Sequence, residues 1–144
     1  MESNQVRKVF KKVLVIDDTE MDLKIAQMAM NRYAFADEIV LKKSAIGGLE
    51  YLESFESTPE NLPQLIFLDI NMPELSGFDF LERYEKLPEV IQRNCIIMML
   101  STSLVEEDHK RALDNKFVSK FLNKPIDKMK LENIRAEMNS FSKS

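Results

Sequence analysis

The sequence predicts an α/β protein in which a doubly wound parallel sheet carries helices on both faces. Apolar runs at residues 13–16, 65–68 and 121–122 are each followed closely by an ionic residue. Runs of this kind are typical of buried parallel strands, whereas the segments between them show the spacing of amphipathic helices. Because strand and helix alternate five times without a sequence repeat, the order favours one parallel sheet over separate α and β regions.

The elements follow one another in a regular order. The predicted strands span residues 13–17, 38–43, 64–69, 95–100 and 119–123. The predicted helices span residues 20–33, 45–55, 78–87, 106–115 and 126–138. The second strand is the more polar, which predicts a position near an edge of the sheet.

Capping and helix-breaking residues predict several of the helix ends. Thr19 precedes two acidic residues and is the predicted cap of the first helix. Ser44 is the predicted cap of the second helix, and Ser103 that of the fourth. Pro88 is expected to end the third helix.

Composition describes a single globular domain and excludes several classes. The chain has 144 residues, of which 44% are hydrophobic and 31% charged, enough to bury roughly two thirds of its unfolded surface. A net charge of −4 gives no support for nucleic-acid binding. No apolar run approaches the roughly 18 residues of a membrane helix. The polar segment at residues 1–9 carries no apolar core typical of a signal peptide. We therefore expect a cytoplasmic protein without a DNA-binding domain.

The expected domain spans residues 11–140, with tails at 1–10 and 141–144. Cys95, the sole cysteine, lies in an apolar run and is predicted to serve buried packing. His109, the sole histidine, follows three acidic residues and is predicted to be exposed on a helix. No cluster of cysteine and histidine indicates zinc.

Acidic residues close two of the predicted strands. Asp17 and Asp18 follow the first strand, and Asp69 ends the third. The carboxyl ends of parallel strands meet at one edge of a sheet, so these carboxylates are expected to lie together. Like charges at that distance favour a divalent cation among them, and oxygen ligands suit Mg²⁺. Asn71 could add its carbonyl, while the alternative for the adjacent pair is helix capping.

Asp69 is also the candidate nucleophile, since a carboxylate can attack a phosphoryl group to form an acyl phosphate. Lys124 can pair with a phosphoryl oxygen, or with Asp69 when phosphate is absent. A cis bond to Pro125 would direct this lysine into the crevice, and the sequence leaves the isomer open. Ser101 can donate a hydrogen bond to a phosphoryl oxygen, and Gly77 is expected to permit a turn before the next helix.

Four motifs in this order resemble those of a response-regulator receiver domain, as in the CheY-like proteins of two-component signalling. The motifs are Val15-Ile16-Asp17-Asp18, Leu68-Asp69-Ile70-Asn71-Met72-Pro73 with Gly77, Leu100-Ser101, and Lys124-Pro125. The resemblance spans about residues 11 to 139. It implies a flavodoxin-like (βα)5 three-layer sandwich with a five-stranded parallel sheet in the order 2-1-3-4-5.

The resemblance also implies how the acidic residues act. Asp69 would accept a phosphoryl group from a phosphohistidine on a sensor histidine kinase or a histidine phosphotransfer protein. Asp18 would bind Mg²⁺ directly, Asp17 largely through water, and Asn71 through its backbone carbonyl.

Further roles concern the switch that the resemblance implies. Ser101 would move toward the phosphoryl group, Lys124 would contact it, and Phe121 would turn inward as the aromatic switch. The surface of the fourth helix, fifth strand and fifth helix would then carry the signal to a downstream protein target, which the sequence leaves unknown.

Three features depart from the family pattern. The stretch between Ser101 and Lys124 is one residue longer than in many relatives, which leaves Thr102 as an alternative hydroxyl. The usual glycine after the fourth helix is absent, and Asn115 is expected to take its place in the left-handed conformation. Phe121 replaces a tyrosine, so it keeps the packing and lacks the hydroxyl.

These expectations describe a stand-alone signalling phosphoacceptor rather than an enzyme, with only intrinsic autophosphorylation and autodephosphorylation. It is expected to be a monomer or a phosphorylation-dependent dimer. One alternative is a receiver fold kept as a phosphate-independent interaction scaffold. Another is an aspartyl-nucleophile phosphatase of the haloacid dehalogenase-like group, which Asn71 disfavours because that group has a second acid at this position.

Overall fold

Five parallel strands lie at the centre of the described structure, in the order β2-β1-β3-β4-β5. The computed structural model describes residues 9–102 and 105–143, with side chains described up to residue 139. The strands are β1 Phe10–Ile16, β2 Ala36–Lys42, β3 Leu65–Asp69, β4 Ile96–Ser101 and β5 Val118–Asn123. The order predicted from the resemblance is confirmed, and the polar second strand does lie at an edge.

Within the described residues, five α-helices and one 3₁₀ turn connect the strands, and a sixth helix follows β5. They are α1 Glu20–Arg32, α2 Ala45–Glu53, α3 Gly77–Tyr84, α4 Glu89–Asn94, α5 Glu106–Asp114 and α6 Lys128–Lys143, with the 3₁₀ turn at Pro59–Asn61. The predicted fourth and fifth helices are thus α5 and α6. Most of the predicted N-terminal tail and the predicted cap Ser103 lie outside the described residues.

The sheet separates two apolar cores. Along β1, Leu14 and Ile16 point to the core under α2, α3, α4 and α5. Val13 and Val15 point to the other core, under α1 and α6. Because successive side chains of a strand alternate between faces, a strand buried on both faces must be apolar throughout. This requirement explains the continuous apolar runs seen in the sequence.

Local hydrogen bonds define several helix starts. The Ser44 hydroxyl accepts from the Gly47 N–H, as predicted. Ser76 forms a capping box with Asp79 at the start of α3, which the sequence analysis missed. Thr19 makes no side-chain capping bond to α1, so that part of the prediction is wrong. Its backbone N–H instead donates to Asp17 Oδ1 over 2.9 Å.

The segment after α3 departs from the prediction. The third helix ends at Tyr84, and Pro88 directly precedes the short helix α4, which we did not predict. Proline suits a helix start because its missing N–H would be unpaired there in any case. The Gln92 side chain donates to the carbonyl oxygens of Tyr84 and Leu87 over 3.1 and 3.0 Å. A side chain of α4 thus pairs with backbone carbonyl groups at the end of α3 and just after it.

Two predictions near the C-terminal half are also corrected. Asn115 does not adopt the left-handed conformation, since its φ is −79° and its ψ is 128°. Its side-chain oxygen accepts from the Phe117 N–H over 2.9 Å, and this local turn leads into β5 without a glycine. The last helix begins at Lys128 and continues to Lys143, beyond its predicted end.

Cys95 and His109 lie much as predicted. Cys95 is half-buried against the core, and burial raises the pKa of its thiol to about 12. The thiol therefore stays protonated and serves packing. His109 is exposed on α5. Among the described residues, no helix has the length and apolar character needed to cross a membrane.

Candidate phosphoryl-acceptor and metal site

The ends of four strands form one crevice at the carboxyl edge of the sheet. Asp17 directly follows β1, Asp69 and Ser101 are the last residues of β3 and β4, and Lys124 directly follows β5. Backbone pairing fixes their relative heights, since Ile16 lies opposite Leu68 and Asp69 opposite Leu100. Residues taken from distant parts of the sequence are therefore neighbours in space.

Three carboxylates lie together in this crevice. One oxygen from each of Asp17, Asp18 and Asp69 lies within 4.8 Å of the others. Asp17 is 1% exposed and Asp69 4%, whereas Asp18 is exposed. Three hard oxygen donors, two of them buried, are a donor set that fits a small divalent cation. Asn71 lies two residues after Asp69, exposed, at the start of the adjoining loop.

Burial and the crowding of negative charge change the acidity of Asp69. Burial and the neighbouring charge of Asp17 raise the pKa of its carboxyl to about 7, against the lowering effect of Lys124. Desolvation disfavours the charged form, and so does a like charge nearby. The lysine compensates only part of this cost, and a further cation at the carboxylates would supply the rest.

Lys124 contacts three carboxylates at once. Its Nζ lies 2.7 Å from Asp17 Oδ2, 2.9 Å from Asp22 Oδ2 and 3.2 Å from Asp69 Oδ1. Burial by itself would lower the pKa of the ammonium, but hydrogen bonds to Asp17 and Asp22 and the charge of Asp69 raise it. The lysine therefore stays charged. The peptide bond between Lys124 and Pro125, whose isomer the sequence left open, is cis. The predicted contact with Asp69 is confirmed, whereas Asp22 was not predicted to lie here.

Gly77 is required for a reason other than the predicted turn. Its φ is not in the left-handed region. A Cβ atom at this position would lie 2.5 Å from the carbonyl oxygen of Asp69 and 2.8 Å from Met99 Cε. The first turn of α3 therefore packs directly against the end of β3, where only glycine fits.

The loop from β3 to α3 is closed by short backbone bonds. The Gly77 N–H donates to the Ile70 carbonyl over 2.7 Å, and the Leu75 N–H donates to the Pro73 carbonyl over 2.8 Å. Glu74 adopts a φ of 68°, which is unfavourable for a residue with a Cβ atom. Backbone in this region is retained where the surroundings enforce it, often beside functional sites.

Comparison with known proteins agrees with this geometry. Residues 13–135 match the family described as the response regulator receiver domain. The chain belongs to the response-regulator receiver family. Receiver domains are signalling proteins of two-component systems, and the fold described above is the receiver fold.

Two relatives illustrate the range of the family. A probable methanogenesis regulatory protein, FilR2 of Methanothrix harundinacea, is 25% identical over 79% of this chain and 72% of its own length. The response regulator Rcp1 of Synechocystis is 24% identical over 68% of this chain and 66% of its own length. The structure of its Mn²⁺-bound form has a TM-score of 0.65, with 21% identity over 91% of this chain and 93% of that chain.

A solved response regulator from Cytophaga hutchinsonii resembles this receiver domain still more in shape. Its TM-score is 0.84, with 23% identity over 93% of this chain and 99% of that chain. At this identity the likeness concerns the fold.

The two candidate hydroxyls of this receiver domain differ in position. Ser101 is fully buried at the end of β4, and its carbonyl accepts the Lys124 N–H over 2.9 Å. Thr102 is exposed. The position of Ser101 beside Lys124 favours it as the hydroxyl of the site, and its role stays a prediction.

Phe121 packs in a way that the sequence did not predict. It is half-buried on β5, and its ring stacks on that of His109 with centroids 4.7 Å apart and planes 19° apart. A signal was present, because α5 directly precedes β5 and neighbouring elements usually pack together. The stacked pair lies on the α5–β5 part of the predicted signalling surface.

Proposed function

We propose that this receiver domain accepts a phosphoryl group on Asp69, with Mg²⁺ bound beside it, and thereby changes its α5–β5–α6 surface for partner binding. The proposed donor is a phosphohistidine on a sensor histidine kinase or a histidine phosphotransfer protein. The observation that carries the proposal is the meeting of Asp17, Asp18 and Asp69 within 4.8 Å, with the Lys124 ammonium 3.2 Å from Asp69.

Among the three carboxylates that contact the lysine, Asp69 is the proposed nucleophile because it ends the central strand β3. In the transfer, a carboxylate oxygen forms a bond to phosphorus while the bond from phosphorus to the donor imidazole nitrogen breaks. The imidazole leaves with the electron pair and later takes a proton from water. The reaction needs an ionised carboxylate, so a pKa of about 7 without a cation would slow it at neutral pH.

The acidic residues supply the proposed metal site. Asp18, Asp17, Asp69 and the Asn71 backbone carbonyl would hold Mg²⁺, since hard oxygen donors suit this ion. When bound, the ion offsets the repulsion between the carboxylates and the oxygens of an incoming phosphoryl group. The raised pKa of Asp69 supports the fit, because burial and the neighbouring charge of Asp17 disfavour its ionised form more than Lys124 favours it.

Lys124 and Ser101 would orient the transferred group. The lysine lies close enough to Asp69 to donate to a phosphoryl oxygen attached there. The Ser101 hydroxyl lies at the end of the adjacent strand and can donate a second bond. Both donors lie at strand ends of the same crevice as Asp69.

Phe121 would link the site to the outer surface. It follows Lys120 on β5 and lies three residues before Lys124, so movement at this strand end is transmitted to it directly. An inward turn of its ring would break the stack on His109. Phosphorylation would thus favour a second arrangement of α5 and β5, as a shift between two populated states.

An apolar stripe on α1 supports a protein as the phosphoryl donor. Met21, Ile25 and Met28 are exposed and lie on one side of the helix at spacings of four and three residues. Met21 lies in the first turn of α1, next to Asp22, whose side chain contacts Lys124 in the crevice. Clustered exposed apolar side chains mark interaction sites more often than isolated ones do.

The test is the mass of the intact protein after incubation with acetyl phosphate, with and without Mg²⁺. We expect wild type to gain the mass of one phosphoryl group only with Mg²⁺, and Asp69→Asn to gain none because it lacks the attacking carboxylate. Asp37→Asn, which removes an exposed carboxylate from β2, is the matched control and should label like wild type.

Two results would contradict the proposal. Equal labelling of Asp69→Asn and wild type would assign the acceptor to another residue. Absence of labelling in wild type, together with absence of Mg²⁺-dependent binding of beryllofluoride, would favour the phosphate-independent scaffold.

A further inference from the structure

Among the described residues, Asp22 is the one ion-pair partner of Lys124 that lies outside the carboxylate cluster. It belongs to the first turn of α1, and its Oδ2 lies 2.9 Å from Lys124 Nζ. The cluster that could hold a metal consists of Asp17, Asp18 and Asp69. Asp22 therefore contacts the lysine without being a candidate ligand of the ion.

The ammonium of Lys124 is already surrounded by carboxylate oxygens in this arrangement. An ammonium carries three N–H donors, and three carboxylate oxygens lie within 3.2 Å of Nζ. The lysine side chain is only 10% exposed, so water has little access to it. For Lys124 to contact a phosphoryl oxygen, one of the existing contacts must be given up.

Burial decides which contact is released at the lowest cost. The side chains of Asp17 and Asp69 are 2% and 5% exposed, whereas that of Asp22 is 33% exposed. A buried carboxylate that loses its partner bears the full cost of desolvation. Water can replace the lysine at Asp22, so that contact is the one to exchange.

We propose that Asp22 is a positioning residue that holds the Lys124 ammonium while Asp69 is unmodified and releases it to a phosphoryl oxygen after transfer. The inference rests on the proposed function and deepens it. Because Asp22 and the phosphoryl group compete for the same ammonium, Asp22 weakens the phosphorylated state. The competition sets how readily the domain leaves its unphosphorylated arrangement.

The test measures binding of beryllofluoride, a phosphoryl mimic, by ¹⁹F NMR at saturating Mg²⁺. Asp22→Asn keeps the size of the side chain and removes its charge, so we expect binding to tighten about fivefold, the order of a partly exposed ion pair. Asp22→Glu should lie near wild type because it keeps the charge. Mg²⁺ affinity is measured separately and should not increase in Asp22→Asn.

Two further variants separate competition for Lys124 from a general effect of charge. In a Lys124→Met background, Asp22→Asn should no longer change the affinity. Where binding to that background is weak, thermal stabilisation by Mg²⁺ and beryllofluoride gives the same comparison. Glu20→Gln is the matched control, since Glu20 lies on the same helix turn and pairs with Lys43 over 3.2 Å instead.

Each outcome bears on one statement. Unchanged or weaker binding in Asp22→Asn would overturn the role of Asp22, and so would an equal gain in the Lys124→Met background or in Glu20→Gln. If wild type itself failed to bind beryllofluoride and to label with acetyl phosphate, the proposed function would fail first. Binding by wild type with no effect of Asp22→Asn would leave the proposed function intact.

Discussion

A lysine lies near each end of the parallel strands, one at the carboxyl edge and one at the amino edge of the sheet, and the two lysines have opposite surroundings. At the carboxyl edge, Lys124 lies among three carboxylates within 3.2 Å. At the amino edge, the Lys12 ammonium donates to the Asn61 carbonyl oxygen over 2.5 Å and lies 4.5 Å from the centre of the Phe55 ring. The partners at one edge are ionised, and the partners described here at the other are neutral.

The difference distinguishes a lysine that stabilises the fold from a lysine that lies at the candidate phosphoryl-acceptor site. Lys12 ties β1 to the segment before β3 through neutral partners. At the carboxyl edge, burial and the charge of Asp17 raise the pKa of Asp69 more than Lys124 lowers it. The carboxyl edge therefore gains stability when another cation or a proton is added.

Changing Asp69 should have the largest effect on this contrast. Its pKa of about 7 lies above the usual 3.8, so the folded state favours the protonated form. The associated stability is present at low pH and is lost as the pH rises through about 7. Without metal, Asp69→Asn should match wild type near pH 4 and exceed it by about 2–4 kcal/mol near pH 8.

Urea unfolding in EDTA across this pH range measures the difference. Added Mg²⁺ should reduce it, because the ion stabilises wild type and has a weaker site in the variant. If the free energy of unfolding varied with pH in the same way for both proteins, the raised pKa of Asp69 in the folded state would be contradicted.

Gly77→Ala tests the packing beneath the carboxyl edge. The added Cβ would lie 2.5 Å from the Asp69 carbonyl oxygen, so α3 must move away from β3. We expect the free energy of unfolding to fall by about 1–3 kcal/mol. Gly47→Ala in α2 is the matched control, since its nearest neighbour is the Ser44 hydroxyl at 3.1 Å. A loss in Gly47→Ala as large as that in Gly77→Ala would contradict the assigned cause.

Lys12→Met should have the smallest effect. The substitution keeps an apolar side chain near Tyr51 and Phe55 while removing one hydrogen bond and the cation–π contacts. The expected loss is about 0.5–1 kcal/mol, independent of pH between about 5 and 8. Chemical denaturation at both limits measures it. A loss that varied strongly with pH would mean that the amino edge also contains a strained charge.

How far the sequence predicts the site depends on how each contact arises. Asp17, Asp69 and Lys124 were predictable because an apolar strand followed by an ionic residue determines both the burial and the edge of the sheet. Asp22 was not, because its contact depends on how α1 is rotated about its axis relative to the end of β5. The sequence did not predict the close packing of Gly77 against Asp69 for a similar reason, since this packing depends on the distance between α3 and β3.

The fold shows the same division. The long apolar strands were predictable from the sequence pattern, and their order followed from the family resemblance. The helix α4 was not predictable, because six residues after a proline carry too little periodicity to distinguish a helix from a loop. Asn115 was expected in the left-handed conformation by analogy with a glycine. A side-chain hydrogen bond to Phe117 gave the chain another way to turn.

The stack of His109 on Phe121 supplies the protein with an internal spectroscopic probe. The chain has one histidine, so its imidazole protons give isolated signals in an ordinary proton NMR spectrum. With the rings 4.7 Å apart and nearly parallel, the circulating electrons of Phe121 shift those signals away from their free positions. An inward turn of Phe121 would return them, and the state of the signalling surface could be followed without any label.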